Sequence, residues 1–222
     1  MSAGPVVLKL GGRVAADAVR GALAGIDGPV VVVHGAGPQI TAEMARRGIE
    51  PAFVAGRRVT TPAVLDVVRE SLAAVNAELC AAIGPEAVGL SGDEIGLEAR
   101  EVEELGLVGD PVPSAPQAIV DALAAERIPV VAPLATGPLN VNADEAAAAL
   151  AVGLGASRIL FVTDVPGVLL DGELAAVLPA AEAEAGLADG RFEGGIVPKL
   201  MAAVSAARGG VQASIGATEV SA

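Results

Sequence analysis

The feature that most constrains the fold is a pair of apolar, β-branched runs separated by one helical segment. Residues 6–10 and 30–33 are continuous aliphatic runs except at Lys9. Such runs are typical of strands that are buried on both faces of a parallel sheet. Between them, apolar residues of the segment 14–24 recur at helical spacing. A strand, a helix and a second strand form a βαβ unit, which places the two strands in parallel.

The same alternation continues along the chain. Further strands are predicted at residues 86–90, 128–132, 158–162 and 211–215, the last of these being the final strand. Further helices are predicted from Pro38 as first helical residue to 47, and at 61–83, 115–125 and 199–208. The segment 140–144 opens another, alanine-rich helix that ends near residue 155. A short hairpin turns at Ala55-Gly56, and the acidic segment 93–110 predicts an exposed hairpin. These elements predict an α/β fold, a three-layer αβα sandwich with a mainly parallel central sheet.

Composition excludes several classes of function. Hydrophobic residues make up 53% of the 222 residues, enough for a large core, while aromatic residues make up only 1% and offer no stacking platform for bases. The net charge of −13 disfavours binding to nucleic acid or to an anionic membrane. Cys80 is the single cysteine, and no apolar run is long enough for a membrane span. We therefore expect a cytoplasmic protein that binds neither nucleic acid nor membrane.

Lysine is rare in this chain and its two positions are informative. The sequence contains 12 arginines but only Lys9, inside the first strand, and Lys199, beside a glycine pair. A lysine within a buried run is costly unless an anion meets it. A solvated surface role remains the alternative for both residues. Otherwise these are places where a compact ammonium is required and a planar guanidinium does not serve.

Glycine-rich or polar segments follow several of the predicted strands. In open parallel sheets, ligands bind outside the carboxyl ends of the strands, where Gly11-Gly12, the segment 34–37 and Thr163-Asp164 are expected. Glycines let backbone N–H groups approach an oxyanion, and a helix N-terminus adds a favourable field. Lys199 lies in the first turn of its helix, where the dipole disfavours a cation unless an anion is bound. The pattern favours a phosphate site.

For Asp144 and the single histidine, the sequence gives weaker evidence of a functional role. Asp144 begins an alanine-rich helix and could simply cap it, but Asn140 and Asn142, two of three asparagines, lie beside it and indicate a polar site. His34 lacks partners for a metal site or a catalytic triad, so a structural role is predicted. Phosphoryl transfer to an alcohol benefits from a general base, whereas a carboxylate acceptor is already ionised at neutral pH. Lysines, backbone amides and Mg²⁺ suffice for that acceptor.

Several segments together resemble the amino-acid kinase family, and in it the members that phosphorylate N-acetyl-L-glutamate. Their order and spacing agree over nearly the whole chain. The matching segments are VLKLGG (7–12), VHGAGPQ (33–39), GRRVT (56–60), GLSG (89–92), LNVNAD (139–144), LFVTDVPGV (160–168) and GGIVPK (194–199).

The resemblance implies the amino-acid kinase (carbamate kinase-like) fold, with an N-terminal lobe, residues 1–135, that binds N-acetyl-L-glutamate and forms a homodimer. The C-terminal lobe, residues 136–222, would bind ATP, with Mg²⁺ held mainly by the nucleotide phosphates and no metal ligand from the protein. It implies transfer of phosphate from ATP to the side-chain carboxylate, a step of arginine biosynthesis.

Residue roles are also implied by the resemblance. Lys9 and Lys199 would stabilise the phosphoryl group in transit, with Asp144 orienting both lysines. Backbone hydrogen-bond donors would come from Gly11, Gly12, Gly35 and Ala36. Arg58 would pair with the substrate's α-carboxylate, and Asn140 would bind its N-acetyl-bearing end. The nucleotide site would be lined by Thr163, Asp164 and Gly167.

Three departures and two alternatives accompany the resemblance. Ala36 stands where the family usually has glycine, Asp93 where lysine is frequent, and the chain ends soon after its last predicted strand. Five residues precede the first strand, so we expect a homodimer without inhibition by arginine. The alternatives are a kinase for a carrier-linked aminoadipate or glutamate and a non-catalytic sensor of the same ligands.

Overall fold

The computed structural model describes residues 4–12, 16–163 and 165–222 of the chain. Strands and helices alternate through most of it. The strands are β1 (Val6–Leu10), β2 (Val30–His34), β3 (Phe53–Val54), β4 (Arg57–Arg58), β5 (Ala87–Ser91), β6 (Ala99–Glu101), β7 (Val108–Pro111), β8 (Ile128–Ala132), β9 (Leu134–Ala135), β10 (Leu139–Val141), β11 (Arg158–Val162), β12 (Leu169–Leu170), β13 (Glu173–Leu174), β14 (Val177–Pro179), β15 (Gln212–Ile215) and β16 (Thr218–Ser221). The helices are α1 (Ala16–Ala24), α2 (Gly37–Arg46), α3 (Pro62–Ile83), α4 (Gly92–Ile95), α5 (Gln117–Ala124), α6 (Ala143–Gly153), α7 (Ala180–Ala188) and α8 (Ile196–Arg208), with a 3₁₀ turn at Glu103–Leu105.

Eight of the described strands form one central sheet. Its order is β14-β16-β15-β11-β1-β2-β8-β5, and every neighbouring pair is parallel except β15 with β16. The predicted mainly parallel sheet is therefore confirmed. β1 lies between β11 and β2, so the strand that carries Lys9 is near the middle of the molecule.

The two faces of the sheet are covered by different helices. Because side chains alternate along a strand, Val7 joins the apolar cluster that contains residues of α6 and α8. Leu8 and Leu10 point the other way, into the cluster that contains residues of α2 and α3. The predicted three-layer αβα sandwich is confirmed.

The acidic segment forms more than the exposed hairpin that the sequence predicts. β6 and β7 do pair in antiparallel fashion, but β7 also pairs with β10 in a second sheet of order β6-β7-β10-β9, and Val108 is buried there. The start of the segment is helical, in α4. The many acidic residues of the segment indicated exposure, and the sequence therefore gave no sign of the buried residue Val108.

Some predicted boundaries are wrong. α8 begins at Ile196, three residues before Lys199, and Pro38 is the second residue of α2. β15 is followed by β16, so the segment 211–215 is not the last strand. The predicted start of α1 at Val14 lies outside the described residues. Within the described part of the chain, no helix has the length and apolarity that crossing a membrane requires.

Candidate active site

A cavity of about 1490 Å³ opens at the carboxyl ends of β1, β2 and β11. It is the place where a parallel sheet is expected to bind ligands. The structure brings most of the predicted site residues to its wall: Lys9, Gly11, Gly12, Gly35, Ala36, Arg58, Asn140, Asp144, Thr163 and Lys199. Asp164 lies outside the described residues, and Gly167 is not part of the lining.

Lys9 and Lys199 both meet the carboxylate of Asp144. The Lys9 ammonium lies 2.6 Å from Oδ1 of Asp144, and the Lys199 ammonium lies 3.6 Å from Oδ2. Lys9 shares the α6 face of β1 with Val7, since side chains alternate along the strand. Asp144 is the second residue of α6, and Lys199 is the fourth residue of α8. One carboxylate therefore positions two cations from different elements.

Local sequence places Asp144 at this point. Asn142 caps α6, because its Oδ1 accepts hydrogen bonds from the backbone N–H of Asp144 at 2.8 Å and of Glu145 at 3.2 Å. The cap fixes the first turn of the helix and hence the direction of the Asp144 side chain. The helix dipole also favours a carboxylate here.

The charges of this cluster favour an incoming anion. Burial lowers the pKa of Lys9, the charge of Lys199 lowers it further, and Asp144 acts in the opposite direction. Lys9 is only 4% exposed, so its ammonium has lost most of its hydration. Two cations facing one carboxylate leave a net positive charge at the N-termini of two helices. A phosphoryl group would supply the missing negative charge.

The loops after β1 and β2 touch each other below the cavity. A Cβ on Gly12 would lie 2.9 Å from Cδ of Pro38, so a larger residue would push the loops apart. Gln39 donates a side-chain hydrogen bond to the Gly12 carbonyl at 3.1 Å. At Gly35 a Cβ would make only ordinary contacts within the protein. Glycine at position 35 is therefore not demanded by packing, which agrees with close approach of a ligand to the backbone.

The fold accommodates two of the three departures from the family pattern, Ala36 and Asp93. Ala36 has a negative φ of −141°, which does not require glycine, and it is buried in the cluster of α2 and α3. Its methyl group thus adds to the core. Asp93 contacts Arg69 of α3 and accepts a hydrogen bond from Ser91 at 2.5 Å. It does not line the cavity.

Arg58 lines the same cavity as the two lysines and lies on the β3–β4 hairpin. Its guanidinium donates to Oγ1 of Thr41 at 2.9 Å and to Sδ of Met44 at 3.0 Å, both on α2. It also lies over the ring of Phe53, 4.7 Å from the centroid. Burial lowers the pKa of Arg58. Sequence reasoning identified Arg58 but missed these three supporting residues.

Asn140 is connected to the same hairpin. Its side-chain amide donates to Oγ1 of Thr60 at 3.0 Å, and that hydroxyl donates to the backbone carbonyl of Arg58 at 3.0 Å. Thr60 is completely buried. The hydrogen bonds connect β10, which is followed by α6, with the strand that carries Arg58.

Arg57 is a further cation of the cavity wall that the sequence did not single out. It lies 2.5 Å from Oδ1 of Asp110 and 3.6 Å from Oε2 of Glu145, and it donates to the Gly109 carbonyl at 2.9 Å. Burial raises the pKa of Glu145, and Arg57 opposes that rise. Arg57 thus attaches the hairpin to β7 and to the first turn of α6. Only the tertiary structure brings these carboxylates to it.

The predicted nucleotide-site residues are divided between the cavity and a turn. Thr163 lines the cavity, and its hydroxyl accepts from the Val165 N–H at 3.5 Å. Gly167 instead packs against Thr218, because a Cβ there would lie 2.5 Å from the Thr218 hydroxyl. That geometry gives the glycine a packing role, and its nucleotide role stays a prediction.

His34 lies away from the main cavity, behind the loop after β2. It is 1% exposed, and the amide of Asn76 donates to its Nε2 at 3.1 Å and to the Val130 carbonyl at 2.8 Å. Burial lowers the pKa of His34 to about 4, so the ring is neutral. The position agrees with the structural role that the sequence predicts.

The described residues contain no cluster of three or more His, Cys, Asp or Glu side chains that could hold a metal ion. Asp144 and Glu193 are the carboxylates in the described cavity lining, and Asp144 already meets two ammonium groups.

The fold is that of a phosphotransferase family. The model of the amino acid kinase family matches residues 4–216, and the chain belongs to that family. It is 44% identical over 240 residues to the acetylglutamate kinase of Saccharopolyspora erythraea, covering 93% of this chain and 77% of the relative. It is 45% identical to the acetylglutamate kinase of an Arthrobacter species, covering 82% and 67%.

Solved structures give the same fold. The protein smu.665 from Streptococcus mutans aligns with a TM-score of 0.84 and 25% identity over 98% of both chains.

Proposed function

We propose that the chain transfers the γ-phosphoryl group of ATP to the side-chain carboxylate of N-acetyl-L-glutamate, a step of arginine biosynthesis. The product is N-acetyl-L-glutamyl 5-phosphate. The observation that carries the proposal is the buried Lys9–Asp144–Lys199 cluster, which shares one cavity with Arg58. Similarity to acetylglutamate kinases over most of the chain supports the choice of substrate.

The reaction needs no general base. An oxygen of the ionised acceptor carboxylate attacks the γ-phosphorus, the bond from phosphorus to the bridging oxygen breaks, and ADP leaves with that electron pair. Negative charge spreads over the transferring phosphoryl oxygens. Lys9 and Lys199 place positive charge where that negative charge develops, and fixed charges of this kind are effective because they need no reorganisation during the reaction.

Asp144 acts through the two lysines. Its carboxylate holds both ammonium groups in place and compensates part of their charge before the substrates bind. Mg²⁺, held mainly by the nucleotide phosphates, would supply further positive charge to the phosphate oxygens. Backbone N–H groups of Gly11, Gly12, Gly35 and Ala36 are proposed as additional donors to the phosphoryl oxygens.

The two substrates are assigned to different parts of the chain. Residues 1–135 would bind acetylglutamate, with Arg58 on the α-carboxylate and, from the following segment, Asn140 on the N-acetyl-bearing end. Residues 136–222 would bind ATP, with Thr163, Asp164 and Gly167 near the nucleotide. The central sheet runs through both parts. We also propose a homodimer that works in the cytoplasm.

An acceptor panel tests the proposal. ADP release is measured with N-acetyl-L-glutamate, with L-glutamate, with a carrier-linked aminoadipate and without acceptor, and the acyl phosphate is trapped with hydroxylamine as a hydroxamate. We expect ADP and hydroxamate in equal amounts with acetylglutamate alone. Turnover only with the carrier-linked substrate would favour the sister specificity. Binding without turnover of any acceptor would identify a sensor.

A further inference from the structure

Phe53 is an aromatic side chain in an unusual place for this chain. The sequence has three phenylalanines, and Phe161 and Phe192 are 1% and 8% exposed in the core. Phe53 is 53% exposed, on a two-residue strand of the β3–β4 hairpin, and it lines the cavity. Leaving an aromatic ring exposed gives up the free energy of its burial. The ring therefore needs an explanation other than core packing.

The hairpin register places this ring against the arginine of the cavity. Phe53 pairs with Arg58, and Val54 pairs with Arg57. Directly opposed residues share one face of an antiparallel pair. Phe53 and Arg58 therefore face the cavity together, and the Arg58 guanidinium carbon lies 4.7 Å from the ring centroid, within cation–π range.

Helix α2 holds the edge of the same guanidinium. Thr41 and Met44 are three residues apart and thus lie on one side of the helix. Each accepts from a different terminal nitrogen of Arg58, at 2.9 Å and 3.0 Å. Each terminal nitrogen carries a second N–H that a carboxylate could accept. The ring and the helix thus contact the guanidinium from two different elements, which restricts its orientation.

We propose that Phe53 is a positioning residue that orients Arg58 for the α-carboxylate of the acceptor. The inference rests on the proposed function, in which Arg58 binds that carboxylate. A bidentate arginine–carboxylate pair requires the guanidinium plane to match the plane of the carboxylate. An arginine on a short exposed hairpin would otherwise sample many orientations, and ordering it would cost affinity for the acceptor.

The orientation acts on the acceptor and not on the phosphoryl group. Arg58 is on the hairpin, whereas Lys9, Asp144 and Lys199 come from β1, α6 and α8. Loss of the ring is therefore expected to raise KM for acetylglutamate. It should leave kcat and KM for ATP nearly unchanged, a separation that a general loss of folding would not produce.

A double-mutant cycle tests the proposal. Phe53→Leu keeps apolar bulk but removes the π face, and it is made in the wild type and in Arg58→Ala. In the wild type we expect Phe53→Leu to raise KM for acetylglutamate roughly 3- to 10-fold, the size of a partly desolvated cation–π contact. In the Arg58→Ala background the same change should have an effect within about twofold, because the partner is gone.

Two controls complete the cycle. Phe53→Tyr retains the ring and should keep KM within about twofold of the wild type. Val54→Ala, at a position 55% exposed on the opposite side of the hairpin, should likewise leave KM unchanged. Together they separate the ring from the hairpin itself.

The outcomes are distinguishable from failure of the proposed function. A wild type that releases no ADP with acetylglutamate contradicts the proposed reaction. An active wild type in which Phe53→Leu raises KM equally with and without Arg58, or does not raise it at all, contradicts the role of Phe53 alone.

Discussion

The Oδ1 atom of Asp144 lies 2.6 Å from the ammonium nitrogen of Lys9, and both side chains are almost completely buried. Lys199 approaches the other oxygen of the same carboxylate at 3.6 Å. A buried carboxylate between two lysines is costly to assemble as a purely structural feature, because desolvation offsets much of the Coulomb attraction. The proposed phosphoryl transfer would account for this arrangement.

Removing the shared carboxylate is expected to destabilise the fold as well as stop the reaction. Asp144→Asn leaves two neighbouring cations without their counter-charge, and breaking a buried pair costs about 3–5 kcal/mol. Urea unfolding at pH 7 measures this loss. The control is Glu184→Gln, which removes a half-exposed pair with Arg208 and should cost at most about 1 kcal/mol. Equal losses of unfolding free energy for the two variants would contradict the role of Asp144 as the shared counter-charge of two lysines.

Stability should depend on pH through His34. Burial lowers its pKa from 6.5 to about 4, whereas the unfolded chain keeps the ordinary value. Between these values the unfolded chain binds more protons, so the free energy of unfolding falls as the pH falls from 6.5 to 4. The full contribution of His34 to this change in the free energy of unfolding is about 3 kcal/mol.

The effect of His34 is isolated by comparing the wild type with His34→Gln. Urea unfolding of both proteins is measured at pH values from 7 to 4. The variant retains all other titrating groups but lacks the imidazole. Its stability should therefore fall less steeply than that of the wild type over this range. Parallel curves would mean that His34 titrates normally in the folded protein.

Arg58→Ala is expected to weaken acetylglutamate binding and to leave ATP binding nearly intact. A charge-assisted hydrogen-bonded pair contributes roughly 1.5–3 kcal/mol. Calorimetric titration with each ligand measures the two affinities. Arg46→Ala on the exposed side of α2, whose partner is Glu43, serves as the control and should change neither. An equal loss of affinity for both ligands would make Arg58 a structural residue.

The sequence predicts the central fold well because burial on both faces leaves a clear pattern. The valine-rich runs of β1, β2 and β8 are where they were expected, and Thr61 caps α3 by accepting from the Val64 N–H at 3.3 Å. The segment 169–188 received no prediction. β12 and β13 have two residues each, too few for a periodic pattern, and β14 depends on pairing with β16. The turn at Gly216, with φ of 53°, is the local signal that β16 follows β15.

The residues of the candidate site could likewise be predicted only in part. Lys9, Lys199 and Arg58 stand out from the sequence through composition or motif. Their neighbours come from distant segments that only the fold brings together, as with Thr41 and Met44 on α2. Phe53 could have been noticed as an aromatic residue beside a hairpin turn, in a chain with few aromatic residues. Arg57 carries no such signal, because its partners Asp110 and Glu145 are far away in sequence.

In the proposed mechanism Lys199 places a compact positive charge on the transferring phosphoryl group, and the substitution Lys199→Arg is the direct test of this role. The swap keeps the charge but replaces the ammonium by a larger planar fork, at a side chain that is 16% exposed. Arg208→Lys, at the exposed end of the same helix, is the matched control. Steady-state ADP release with saturating ATP and acetylglutamate gives kcat. We expect Lys199→Arg to lower kcat by about 10²- to 10³-fold, with far smaller changes in both KM values. Arg208→Lys should keep the kcat of the wild type. A Lys199→Arg variant with wild-type kcat would remove Lys199 from the mechanism and favour a sensor.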